Sequence, residues 1–390
     1  MILLGRRKRM TRLSLILSLL LLVSGCKQTS LPVSPATTVA PTETVAQVQT
    51  EAWLPKVRKG FKVEKWADVP DARSLAVSPD GKTVFVGSRK GWIHKVTVGD
   101  SGPEVEKFQQ GLIGSNGVCF VGEDLYVGQL EEVRKFTSSQ GFPPNAQGEV
   151  VLDGLPPEKH HGWRYIKQGP DGRIRLAIGA PCNVCEREDP RFASICSFTP
   201  DGEDFQIEAK GVRNSVGFDW HPDTGDFYFT DNGRDMMGDD IPPCELNVLP
   251  KGARTKHYGF PYFWGDNQPD PEFGSKALEG VTFTKPLHRF QAHVAPLGCH
   301  FPKTDSLKKA LPNQILVAQH GSWNRSSPVG YRVVTVDYVA PNRVAEPFLW
   351  DFLASDGTRH GRPVDVCELP DGKILVSDDY KGVVWCVTKL

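Results

Sequence analysis

Ser78-Pro79-Asp80-Gly81-Lys82-Thr83-Val84-Phe85-Val86-Gly87 reads as a tight turn feeding a short apolar strand. Proline presets φ at the second turn position, aspartate bonds the backbone just beyond itself, and glycine accepts positive φ. Thr83 to Val86 are β-branched or aromatic, the residue types that suit a pleated surface. Outward from this point the same phrase returns. Related turns stand at Gly169-Pro170-Asp171-Gly172, His221-Pro222-Asp223 and Leu369-Pro370-Asp371-Gly372. Related strands are Asp124–Gly128, Ile174–Gly179, Phe227–Asp231, Ile315–Gln319 and Ile374–Asp378. Each has a partner downstream: Trp92–Val96, Glu132–Phe136, Ser194–Phe198, Glu245–Leu249, Tyr331–Val336 and Val383–Val387. Units roughly 40–60 residues apart, with one longer gap between the fourth and fifth, match four-stranded propeller blades. No helical periodicity intervenes, and six comparable units exceed what one β-sandwich needs. The expectation is all-β: a six-bladed β-propeller of four-stranded antiparallel blades.

Composition narrows the function classes. The 390 residues carry 46 basic and 46 acidic side chains, 39% hydrophobic and 24% charged, with 38 glycines and 31 prolines. Such a balance lacks the basic excess of a nucleic-acid binder, and the Gly and Pro content suits turns rather than disorder. The N-terminus reads as an address. Arg6 to Arg12 is basic, Leu13 to Val23 is apolar, and small residues lead to Cys26, the layout of a secretory signal over 1–25. The apolar run is too short to span a bilayer. Leu22-Val23-Ser24-Gly25-Cys26 resembles a bacterial lipobox, which implies lipidation of Cys26 and a lipid anchor in the cell envelope. Residues 26–52 read as a flexible tether and 53–390 as the propeller. Cleavage removes five basic and no acidic residues, leaving 41 against 46, a charge of −5.

Among nine cysteines only Cys182-Asn183-Val184-Cys185 forms a close pair, read as a local disulfide or paired buried thiols. No histidine follows Cys185, which excludes attachment of a c-type haem there.

Propeller geometry turns these strands into a candidate site. If the strand before each turn is innermost, the lead-in to it shares one face with the loop between the second and third strands. Three of those loops are long: Ala180–Ala193, Asn232–Cys244 and His320–Gly330. The lead-ins carry His160-His161-Gly162-Trp163-Arg164, Gly211-Val212-Arg213-Asn214, His293-Val294-Ala295-Pro296 and His360-Gly361-Arg362-Pro363. Arg213, Arg325 and Arg362 then converge, suiting a ligand with several carboxylates or phosphates, unless they merely pair with acidic loops. Asn232-Gly233-Arg234-Asp235 and Gly238-Asp239-Asp240 offer oxygen donors to a hard cation such as calcium. His161, with an unperturbed pKa of about 6.5, is a candidate general base. The aromatic run from His257 to Trp264 either packs an insertion or walls a pocket for flat rings or sugars.

From about Val63 to Val387 the chain resembles the glucose/sorbosone dehydrogenase family, quinoprotein propellers that use pyrroloquinoline quinone (PQQ) and calcium. The likeness is carried by His161-Gly162-Trp163-Arg164, Gly211-Val212-Arg213-Asn214, Asp231-Asn232-Gly233-Arg234-Asp235, His257-Tyr258-Gly259-Phe260-Pro261, His320-Gly321-Ser322-Trp323-Asn324-Arg325 and Gly361-Arg362-Pro363-Val364-Asp365-Val366. It looks closest to the sorbosone-dehydrogenase-like branch. The resemblance implies oxidation of aldoses or related sugars, with His161 taking the hydroxyl proton while PQQ accepts hydride and an external acceptor takes the electrons. It implies that Arg213, Asn214 and Arg362 hold the cofactor, with Arg325 replacing a family lysine that falls near Gly321. It also implies that Asn232 and the carbonyls of Gly233 and Arg234 meet calcium. Ala180 stands where the family's base-orienting aspartate is expected, which implies either that Glu186 or Asp189 takes that role or that the base is weaker. The competing expectations are a calcium-dependent lactonase or esterase and a non-catalytic propeller that binds glycans or protein.

Overall fold

The computed structural model describes residues 53–99 and 101–390; the expected signal, Cys26 and tether lie outside the described residues. Six antiparallel blades follow one another around a central axis. Blade 1 comprises Leu75–Val77, Thr83–Val86, Trp92–Gly99 and Gly102–Gln110. Blades 2 to 5 begin at Gly117, Ile166, Phe218 and Pro296. Blade 6 takes Pro363–Glu368, Ile374–Asp378 and Val383–Lys389 from the C-terminal end, and its fourth strand, Phe61–Asp68, from the N-terminal end. The two ends of the fold thus pair antiparallel, from Phe61 with Lys389 to Asp68 with Val383, and this closes the ring. Blades 3 and 5 each gain a short fifth strand, Lys256–His257 and Lys56–Val57. Among the described residues the one α-helix is Asp305–Ala310, capped by the Thr304 hydroxyl.

The apolar runs that mark the repeat are the second strands, and they are buried on both faces. Side chains alternate along a strand, so Val84 and Val86 pack toward blade 6 while Phe85 packs toward blade 2. Leu125 and Val127 turn toward blade 1, and Tyr126 toward blade 3. Six apolar seams result, one between each pair of neighbouring blades. Close to the axis the innermost strands crowd together. A Cβ on Gly298 would lie 2.1 Å from the Asp365 carboxylate, so blade 5 approaches blade 6 only because that position has no side chain.

Candidate active site

Turns of the Ser-Pro-Asp-Gly type occupy one face of the propeller, where Ser78, Lys167, Thr304 and Pro370 line a hollow of about 430 Å³. The chemistry gathers on the other face, in a cavity of about 310 Å³. Its wall is made by the lead-ins to the innermost strands and by the loops between second and third strands. Arg73, His161, Arg213, Asn214 and Arg362 come from lead-ins; Arg89, Asn232, Gly233, Asp235, His320 and Trp323 come from loops.

One local device places both lead-in arginines that the sequence singled out. Blade 4's second strand ends at Asp231, whose carboxylate accepts from the backbone N–H of Arg213 at 2.9 Å and of Asn214 at 2.7 Å. Blade 6's second strand ends at Asp378, which accepts from the backbone N–H of Arg362 at 2.9 Å. Arg213 then donates to the carbonyls of Asn183, Asn232 and Gly233 at 2.8, 3.2 and 3.0 Å, and pairs with Asp235 at 3.3 Å. Arg362 donates to the carbonyls of His320 and Gly321 and lies over the Tyr331 ring. Among the described residues no carboxylate lies within 4.0 Å of the Arg362 guanidinium. A largely buried cation with only dipoles for partners is a ready receptor for an anion.

His161 sits in the left-handed region, φ 51°, with Gly179 beneath it; a Cβ there would lie 2.6 Å from the His161 Cβ. Its Nδ1 is 2.8 Å from the Ala180 carbonyl. A carbonyl only accepts, so Nδ1 carries the proton and Nε2 keeps its lone pair. The orienting group is therefore backbone, which corrects the expectation for Glu186 or Asp189. Glu186 accepts from the Tyr262 hydroxyl, and Asp189 is paired with Arg191. Burial, then the charge of Arg213, pushes the His161 pKa down to about 2, far from the unperturbed value.

Two further expectations change. Arg325 does not line the cavity: its guanidinium is bound to the Asp239 carbonyl and the Asp240 carboxylate, tying the loops of blades 4 and 5 together. The expectation for Arg234 concerns its backbone carbonyl; its side chain turns away to Asp270 at 2.8 Å and Glu272 at 2.5 Å. The expected calcium carbonyl of Gly233, with that of Asn232, is occupied by Arg213, which opposes a divalent cation at that point. Among the described residues no cluster of three or more His, Cys, Asp or Glu is placed to hold a metal. The run from His257 to Trp264 packs the insertion before blade 4's last strand and stays outside this cavity.

Sequence reading passed over Arg73, Arg89 and Asp379. Arg73 and Arg89 each donate to Asp379 at 2.7 Å, and His320 Nε2 meets the same carboxylate at 2.8 Å. A signal existed: Arg73 precedes blade 1's innermost strand and Arg89 follows its second, the same positions in the repeat as Arg213 and Asn232. Blade 1's short loop concealed it.

Behind Arg213 lies a buried carboxyl pair with a measurable consequence. Asp231 pairs across strands with Glu245, whose oxygens accept from Asn247 and from the Gly265 N–H. Burial pushes Asp231 up to about 6, and burial reinforced by Asp231 pushes Glu245 up to about 8. The native state therefore keeps protons that the unfolded chain releases above about pH 4.5, and stability falls as pH rises toward 8. Glu245→Gln is expected to unfold at higher urea than the parent at pH 9, by roughly 1–3 kcal/mol, and to match it near pH 4. A variant less stable at pH 9 would contradict this.

The family model described as TrAA12-like matches residues 55–390. The chain belongs to the TrAA12-like family. An uncharacterized protein of Borreliella burgdorferi is 35% identical to this TrAA12-like chain over 349 residues, covering 85% of it and 90% of the relative. Solved structures share the fold at lower identity. A Trichoderma reesei protein of Carbohydrate-Active Enzymes Family AA12 superposes with a TM-score of 0.71 at 20% identity, covering 86% of this chain and 98% of that one. The holo form of the pyranose dehydrogenase PQQ domain of Coprinopsis cinerea gives 0.70 at 18%, over 86% and 97%. The soluble aldose sugar dehydrogenase of Escherichia coli in its apo form gives 0.64 at 16%, over 85% and 100%. These likenesses are of fold: the chain shares its propeller with a family AA12 protein, a pyranose dehydrogenase PQQ domain and a soluble aldose sugar dehydrogenase.

Proposed function

We propose that this protein is a sugar oxidoreductase, exported and lipid-anchored through Cys26, that binds PQQ in the arginine-walled cavity and passes electrons to an external acceptor. The observation that carries this reading is the cavity's composition: several guanidinium groups, one of them lacking a carboxylate, beside an imidazole with a free lone pair. The names of the related structures support the substrate class and the cofactor.

PQQ is a flat quinone bearing carboxylates, and the residues fit it. Arg362 supplies free N–H donors for a carboxylate, and Arg213, whose five N–H groups are already bonded within the protein, adds its positive charge. Asn214 adds a side-chain amide that bonds no other protein group among the described residues. Calcium at Gly233 does not fit while Arg213 holds that carbonyl, so no step is routed through it. When bound, PQQ would supply a two-electron acceptor for hydride. The chain's own contribution is orientation and proton management. His161 Nε2 takes the proton of the sugar hydroxyl, and the Ala180 carbonyl keeps the ring in the tautomer that allows this. The exposed Trp323 lines the cavity and offers a face on which a sugar ring packs, whereas Trp163 lies under the Arg89 guanidinium.

The lactonase alternative needs free inward carboxylates, whereas Asp235 and Asp379 are committed to arginines. Titrating PQQ into the purified domain should give saturable fluorescence quenching, followed by sugar-dependent reduction of a dye. Absence of both would overturn the proposal, and lactone hydrolysis without an acceptor would replace it.

A further inference from the structure

Cys182 and Cys185 form a disulfide, and Asn183, one of the two residues they enclose, touches Arg213, a buried arginine of the cavity wall. The Asn183 carbonyl accepts from Arg213 Nε at 2.8 Å, and Asn183 Oδ1 accepts from Arg213 Nη2 at 3.0 Å. The same Oδ1 accepts from the Asp235 N–H at 2.8 Å, while Nδ2 donates to the Asp235 carbonyl at 3.0 Å. One residue therefore holds two nitrogens on one edge of the guanidinium and ties the loop of blade 3 to that of blade 4. Just before the ring, Ala180 donates its N–H to the Arg213 carbonyl and accepts from His161. Residues 179–193 contain no helix or strand, and the disulfide is the covalent restraint on Asn183 within that loop.

We propose that the Cys182-Asn183-Val184-Cys185 ring is a positioning device, in which Asn183 fixes the Arg213 guanidinium in the cavity wall, so that opening the disulfide weakens binding of a carboxylate-bearing ligand there. This rests on the reading that the cavity takes such a ligand. The ring lowers the number of conformations open to Asn183, so its hydrogen bonds to Arg213 form at smaller entropic cost. Both cysteines are half-buried, within reach of a small reductant. With dithiothreitol, two electrons and two protons convert the disulfide into two thiols as the reagent closes to its own cyclic disulfide. Asn183 then samples conformations in which water replaces it on Arg213.

The test titrates PQQ into the purified domain and into Asn183→Ala and Cys182→Ser/Cys185→Ser, each in the parent and in an Arg213→Ala background. Both variants are expected to bind PQQ about tenfold more weakly in the parent, the loss of hydrogen bonds to a charged group. In the Arg213→Ala background the same changes should cost less than about twofold, because coupled residues are not additive. Unchanged affinity, or equal losses in both backgrounds, would overturn the proposal. Asn183→Ala retains the disulfide and serves if the serine variant does not fold. A ligand-free readout accompanies these: the Arg213 Nε–H signal in a ¹H–¹⁵N spectrum, assigned by its loss in Arg213→Lys. It should exchange slowly with water in the oxidised protein and rapidly after dithiothreitol; a signal indifferent to reduction sinks the proposal. Failure of PQQ to bind the oxidised parent would instead defeat the functional reading, and the arginine signal would still decide the ring's role.

Discussion

Replacing His161 with alanine is expected to reduce sugar turnover by about 10²–10⁴-fold, the usual contribution of a general base, while PQQ affinity changes less than about threefold. The split follows from where the ring's bonds go. His161 spends Nδ1 on the Ala180 carbonyl and keeps Nε2 for the cavity, whereas the donors proposed for carboxylates belong to Asn214 and Arg362, with Arg213 adding charge. The pH behaviour is the discriminating readout. Burial and Arg213 hold the imidazolium form down at about 2, so His161 is neutral throughout ordinary assay conditions. Its lone pair is thus available at pH 5 as at pH 8, and protonation of His161 should impose no acid limb on kcat/KM above about pH 4. The sign for stability is the same: between about pH 2 and 6.5 the unfolded chain binds a proton that the native state refuses, so stability rises with pH through that window. A variant that keeps a tenth of the parent activity would remove His161 from the chemistry. Loss of PQQ binding together with turnover would make it a structural residue.

The second large effect concerns Asp379. Asp379→Ala is expected to destabilise the propeller by about 3–5 kcal/mol, the range for leaving a buried ion partner uncompensated. Three positively inclined groups meet on this one carboxylate: Arg73, Arg89 and His320. Arg73 and His320 are 3% and 8% exposed, so little surface is left on which water can replace the missing oxygen. Asp379→Asn, which keeps an acceptor but not the charge, should lose less. Burial alone would raise the Asp379 carboxyl; His320, Arg73 and Arg89 outweigh it and hold the group well below the ordinary range. Its stabilising contribution is therefore present above the unfolded value of about 3.9 and is lost as pH falls through the depressed native value. Urea unfolding of parent and variant at pH 7 and pH 3 measures both statements, with the gap narrowing at the lower pH. A variant within about 1 kcal/mol of the parent at pH 7 would refute the uncompensated-charge argument.

Two loop arginines show why charge was harder to read than fold. Arg325 lies in His320-Gly321-Ser322-Trp323-Asn324-Arg325, a motif that faces the cavity, yet its side chain ends on Asp239 and Asp240 of the neighbouring blade. Arg73 stands in an unremarked stretch, yet it meets a carboxylate 306 residues away. A guanidinium on a flexible stem has several partners within reach, and local sequence does not choose among them. Strand Phe61–Asp68 posed the same difficulty. It is an outer strand with exposed positions at Lys62, Glu64, Lys65 and Asp68, so its pattern lacks the continuous apolar run of the second strands. Only closure of the ring against Val383–Lys389 reveals its place.

By itself the sequence determined the repeat. A second strand packed between two neighbouring blades must be apolar at consecutive positions, and a tight turn must be made of proline, aspartate and glycine, so both were legible in Thr83–Val86 and its five echoes. From that geometry followed the shared face of His161, Arg213, Asn232 and Arg362. Tertiary structure alone decided which cations remain free for a ligand, which carbonyls are already taken, and how far burial moves a histidine from its ordinary pKa. Those properties are sums of distances between blades, fixed only after the ring closes, and no short stretch of chain contains them.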